Sequence, residues 1–199
     1  MRAKQVLVFS LMGLFLVVGS WMAGAQDKPT YTYVGVKNCK MCHNKEATGQ
    51  QFKIWSESPH AKAFETLASE ESIAKAKELG LGNPQEEEAC LKCHVTAFPV
   101  MGDLENQKIT MEEGVSCESC HGAGSGYKSK KVMVAITAGE TKPASVGLVI
   151  PDEKTCLGCH NPDNPFHKEF VYEEFVKKIA HPIPEGAVSE DDGGEDGGE

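Results

Sequence analysis

The eight cysteines of this chain fall into four pairs of one spacing, and a histidine follows each pair: Cys39-Lys-Met-Cys42-His43, Cys90-Leu-Lys-Cys93-His94, Cys117-Glu-Ser-Cys120-His121 and Cys156-Leu-Gly-Cys159-His160. No cysteine is left over, and only 7 histidines exist in 199 residues. With positions taken as independent, four such coincidences have a chance on the order of one in a million. C-x-x-C-H is the attachment spacing of c-type haem. Two thiols three residues apart on a helical turn reach the two vinyl groups of one porphyrin, and the next residue points its imidazole at the iron as proximal ligand. Other cysteine chemistries explain less. Two Cys₄ zinc sites would leave the histidines without a role. A thioredoxin-like redox site needs one pair in an α/β setting, and four disulfides ignore the histidines altogether.

Four proximal ligands leave His60, His167 and His181 for the sixth position that a low-spin electron-transfer haem fills with His or Met. His60 stands in Trp55-Ser-Glu-Ser-Pro-His60-Ala61-Lys-Ala63. Residues 45–57 read as a helix, Pro59 breaks it and opens a second one, and His60 occupies the first turn of the second. Ala61 and Ala63 leave room beside it for a flat ring. His181 ends a patterned stretch from Lys168 to Ile179, where Phe170, Val171, Phe175, Val176 and Ile179 recur near helical period. Its other reading is a helix-end cap. His167 lies in the turn-rich Asn161-Pro-Asp-Asn-Pro-Phe run, where it is either a ligand or a loop residue. With three spare histidines at most, one of four haems cannot be bis-His. Met101, Met111 and Met133 are the methionines outside the motifs and the leader, and a Met is more often a gap filler in the core. The third haem is the candidate for the open site, because no histidine lies between His121 and His160 and Gly122-Ala-Gly-Ser-Gly126 lets the backbone approach closely.

The elements that must position these groups are short. Gly and Pro number 20 and 10, which works against long helices or sheets, and aromatics are 7% of the chain, so ordinary large core fillers are scarce. Four porphyrins would supply the missing core. Motif starts at 39, 90, 117 and 156 place the second and third closest in sequence, so those two haems are expected to be neighbours.

Three segments emerge. Residues 1–25 read as a secretory signal peptide, with Arg2 and Lys4, an apolar run from Val6 to Trp21, and Ala23-Gly24-Ala25 before Gln26; the alternative is an uncleaved anchor. Residues 26–184 are the tetrahaem domain. Residues 185–199 carry Glu185, Glu190, Asp191, Asp192, Glu195, Asp196 and Glu199 among glycines, an acidic tail that buries nothing and is expected to be disordered. Losing Arg2 and Lys4 moves the formal charge from −9 to −11. That balance argues against nucleic acid as a partner.

Two longer patterns, Trp55-x-x-Ser58-x-His60-Ala61-x-Ala63 and Gly114-Val-x-Cys117-Glu-x-Cys120-His121-Gly-x-Gly124, together with the four motifs in this order, resemble the cytochrome c554 family over about residues 35–182. The resemblance implies a fold class that is mainly α, a multihaem cytochrome c with short helices and long loops wrapped around four covalently attached haems, with packed haem pairs and four haem sites at the motifs. It implies His60 as a distal ligand and, as in the type member, one five-coordinate haem. The type member receives electrons from a hydroxylamine-oxidising partner and has a ligand histidine soon after its third motif. Here that stretch is Tyr127-Lys-Ser-Lys-Lys131, so the ligand set does not carry over whole.

The leading functional reading is an exported electron carrier, periplasmic or extracellular, passing electrons between redox proteins through closely packed haems. Membrane association would come only through a partner or the uncleaved leader. The alternative is an enzyme reducing a small nitrogen-oxide-type ligand at a five-coordinate haem, although no acid–base constellation accompanies it and no catalytic residue is assigned. A third possibility, subunits stacked into an extracellular haem wire, is not required by any residue. Bis-His ligation lacks the Met that raises potential, so the His60- and His181-ligated haems are expected to have low potentials.

Overall fold

A computed structural model describes residues 30–181. The leader at 1–25, the tail at 185–199 and the outer ends of the 26–184 domain lie outside the described residues. Among the described residues the chain is helical with no β-strand, and its helices are short. They are α1 (Val36–His43), α2 (Gln51–Glu57), α3 (Ala63–Thr66), α4 (Glu70–Glu78), α5 (Glu88–His94), α6 (Cys117–His121), α7 (Lys130–Thr137), α8 (Glu153–Leu157) and α9 (Tyr172–Phe175), joined by 3₁₀ turns and loops. Three of the motifs end a helix on their histidine: α1, α5 and α6. The fourth differs, since α8 stops at Leu157 and leaves Cys159 and His160 in the following turn.

Caps explain several starts. Ser69 and Ser129 accept the N–H of Ser72 and Val132 at the head of α4 and α7. Asp152 and Thr155 form a reciprocal capping box on α8. The helix read over 45–57 is in fact broken. Glu46–Thr48 is a 3₁₀ turn ended by Gly49 in the left-handed region, Gln50 has φ 52°, and α2 begins only at Gln51. Pro59 takes the first position of the next turn, with His60 beside it, as its fixed φ favours. The stretch from Lys168 to Ile179 also shortens, to α9 and a 3₁₀ turn at Val176–Lys178. Its aromatic residues are spent on stacking instead: Phe170 lies 4.7 Å from the His160 ring and 5.1 Å from Phe175.

The buried apolar set is small and off-centre. Leu67, Leu91, Val95, Ala97 and Ile109 form one cluster, flanked by Tyr33, Phe64, Phe98, Val100, Leu104 and Met111. It surrounds α5, the helix of the second motif. By contrast, α1 and α8, which carry the first and fourth motifs, bury no residue.

Thr96 ties the second motif to the third. It is 4% exposed. Its N–H donates to Gly114 O at 2.8 Å, and its hydroxyl accepts the Ser116 N–H at 2.6 Å and meets the Ser119 hydroxyl at 2.5 Å. The two motifs are therefore adjoining segments, as their short spacing suggests. A Thr96→Val variant keeps the shape and leaves the buried Ser116 N–H without a partner. It should lose about 1–3 kcal/mol of stability, seen as a lower guanidinium midpoint of the purified protein.

Candidate haem-binding sites

All eight cysteines are free thiols, half-buried except the exposed Cys42. The contacts between motifs skip along the sequence. Cys39 of the first interacts directly with Cys117 of the third, and Cys93 of the second with Cys159 of the fourth. Cys120 and Cys156 are near enough to affect one another electrostatically. Among the described residues no group of three or more His, Cys, Asp and Glu side chains is placed to hold a bare metal ion, so the thiols are not gathered into Cys₄ clusters.

Three of the four motif histidines are held through one ring nitrogen. His94 Nδ1 lies 2.9 Å from Ala63 O, and His121 Nδ1 lies 3.2 Å from Val149 O. A carbonyl only accepts, so each Nδ1 carries the proton and leaves the lone pair on Nε2. His43 Nδ1 faces Gln51 Oε1 at 3.4 Å, and the Gln51 amide is oriented by its donation to Thr48 O. His181 Nδ1 is 2.7 Å from Ile179 O. This is the tautomer and support that metal-ligating imidazoles use.

Two pairs of imidazoles face each other. His60 and His160 have ring centroids 6.0 Å apart, and His121 and His181 are 5.9 Å apart. Two imidazoles on opposite sides of one metal, with metal–nitrogen bonds of about 2 Å, carry ring centroids about 6 Å apart. Burial, reinforced by His160, pushes His60 below the usual histidine range. Burial, opposed by the Val149 carbonyl and reinforced by His181 and His43, lowers His121. Both favour the neutral imidazole that can donate to iron. The pairing of His121 with His181 stands against the expectation that the third site is the open one.

The two extended patterns prove to be one contact. The Trp55 indole N–H donates to Val115 O at 2.8 Å, and Val115 N–H donates to His60 O at 3.0 Å. Gly114 has φ 60°, and a Cβ there would stand 2.8 Å from His60 O. Only glycine lets the segment that leads into the third motif press against the turn that carries His60.

His167 lines a cavity of about 830 Å³ with Cys90, Cys93, His94 and Cys159. Pockets for cofactor-sized ligands run roughly 300–1,000 Å³. His167 also lies near enough to His160 to lower it, after burial. Among the described residues no second imidazole faces His43 in the manner of the two facing pairs. Large apolar side chains stand uncovered near the motifs, among them Met41 at 70% and Ile150 at 67% exposure. Anchored imidazoles, facing ring pairs, a cofactor-sized cavity and uncovered apolar groups together fit covalently held porphyrins. What the sequence did not disclose is Glu118, whose carboxylate is 3% exposed; an acid between two motif cysteines looks in sequence like a solvated side chain.

Among the described residues no helix is long and apolar enough to cross a membrane. The family model described as "Cytochrome c554 and c-prime" matches residues 38–122, which span the first three motifs. No solved structure matches the chain. The protein named cytochrome c-554 of Nitrosomonas europaea is 30% identical over 185 residues, covering 78% of this chain and 75% of that protein. With that identity and coverage, the chain belongs to the cytochrome c554 family: it is a c-type cytochrome of electron transfer, with covalently attached haem.

Proposed function

We propose that the chain is an exported tetrahaem cytochrome that relays electrons between redox proteins in the periplasm or outside the cell. The observation that carries this reading is the two pairs of facing imidazoles, His60–His160 and His121–His181, each spaced so that both rings could hold one iron. Cys39 with Cys42, Cys90 with Cys93, Cys117 with Cys120, and Cys156 with Cys159 are the thioether anchors. His43, His94, His121 and His160 are the proximal ligands. His60 completes the fourth site and His181 the third. His167, which shares the cavity of His94, is assigned to the second. The first site, at His43, is then the one left without a second histidine.

Bound haems supply the one-electron couples; the chain holds their ligands and limits water. Ala63, Val149 and Gln51 orient the proximal rings through Nδ1. Phe170 stacked on His160 supports the fourth ring, which has no such partner among its hydrogen bonds. Export is supported by the leader at 1–25 and by the haem chemistry, and the domain is taken as 26–184 with the acidic tail beyond it. The donor and acceptor are proteins of the redox class; no residue points to nucleic acid.

The haem count follows from intact mass and pyridine haemochrome absorbance: four haems per chain, on a chain beginning at Gln26. Two or three haems would reject the tetrahaem assignment. Electron paramagnetic resonance of the oxidised protein should show three low-spin haems and one high-spin haem. His60→Ala and His181→Ala should each convert one low-spin signal to high-spin. His167→Ala should do the same, and an unchanged spectrum would remove His167 from the ligand set. In a redox titration the His60- and His181-ligated haems should titrate at negative potentials, as bis-His ligation favours.

A further inference from the structure

The third motif carries a buried carboxylate that neither attachment nor ligation uses. Glu118 sits between Cys117 and Cys120 and is 3% exposed. Its Oε1 accepts the N–H of Val34 at 2.9 Å and of Gly124 at 2.6 Å; its Oε2 accepts the N–H of Gly35 at 2.9 Å and of Val34 at 3.2 Å. Both oxygens accept and neither donates, which is the behaviour of an ionised carboxylate. The donors are backbone amides of the segment that leads into α1 and of the loop that follows α6. Gly124 is required for this approach, because a Cβ there would stand 2.7 Å from Val34 Cγ2 and 3.0 Å from Glu118 Oε1.

The charge therefore sits where the first and third motifs meet. The Cys39 and Cys117 thiols interact at this junction, and the Glu118 charge acts on both of them, as well as on Tyr33, Glu113 and Tyr127. Its hydrogen-bond donors all belong to the segment that enters the first motif's helix or to the third motif's own following loop. A negative charge in a poorly screened interior favours the oxidised, more positive state of a nearby redox centre. Amide dipoles hold this charge in place without cancelling it by proton transfer.

On the tetrahaem reading above, we propose that Glu118 is a fixed internal charge that lowers the reduction potentials of the first and third haems relative to the second and fourth. It is a positioning and tuning residue, not a ligand.

The test is a potentiometric titration of the whole holoprotein as wild type, Glu118→Gln and Glu118→Asp, with haem content measured on each sample. Glu118→Gln should raise two of the four midpoint potentials and leave the other two in place. Glu118→Asp keeps the charge on a shorter arm and should stay close to wild type. Four unmoved potentials in Glu118→Gln would overturn the proposal. So would equal shifts in Gln and Asp, which would assign the effect to the lost tether. Should Glu118→Gln not accumulate, the wild type decides. The low-spin signal that disappears in His181→Ala marks the third haem, which should be one of the two last reduced; its being among the first two reduced overturns the proposal. A sample with four haems and no shift rejects only the tuning role, whereas a sample with fewer haems rejects the tetrahaem reading itself.

Discussion

A neutral imidazole presents one lone pair, and an acceptor held against its other nitrogen fixes which nitrogen that is. Ala63 O, Val149 O and Gln51 Oε1 each take the Nδ1–H of a motif histidine. Each belongs to a segment far from the histidine it serves, except Gln51, which lies eight residues from His43. The loops between motifs are thus not idle connections. The stretch at Val149 is pinned to the third motif twice, since Val149 O accepts from His121 Nδ1 and Val149 N–H donates to His121 O.

The same logic explains why so little side chain is buried. The one apolar cluster lies around α5, and elsewhere the chain relies on hydrogen bonds between backbone and a few polar anchors. Trp55, Thr96 and Glu118 are such anchors, and each joins segments that helices alone do not. A chain of this length with ordinary ambitions would need more aromatic and aliphatic volume inside. Covalently attached planar groups relax that demand, and the uncovered Met41 and Ile150 mark surface they would share.

Local chemistry was legible in the sequence; distant pairing was not. The motifs announced the thiol–imidazole units, and Pro59 announced the turn that presents His60, because both depend on neighbouring residues. Periodicity misled at Lys168–Ile179, where Phe170 and Phe175 recur like a helical face but stack on each other and on His160. It misled at 45–57 as well, since Gly49 and Gln50 take positive φ inside an otherwise regular pattern. The glycine-rich run after His121 suggested an open third site, yet His181, sixty residues along the chain, comes to face that ring. No local rule connects such residues. Glu118 was missed for a related reason: its burial depends on Val34, Gly35 and Gly124, none of them polar in side chain.

The contacts among thiols also fold the chain back on itself. Cys39 lies by Cys117, and Cys93 by Cys159, so each of these contacts joins motifs two apart in sequence. Removing the last motif would not trim a free end; it would take away the thiol neighbour of the second motif.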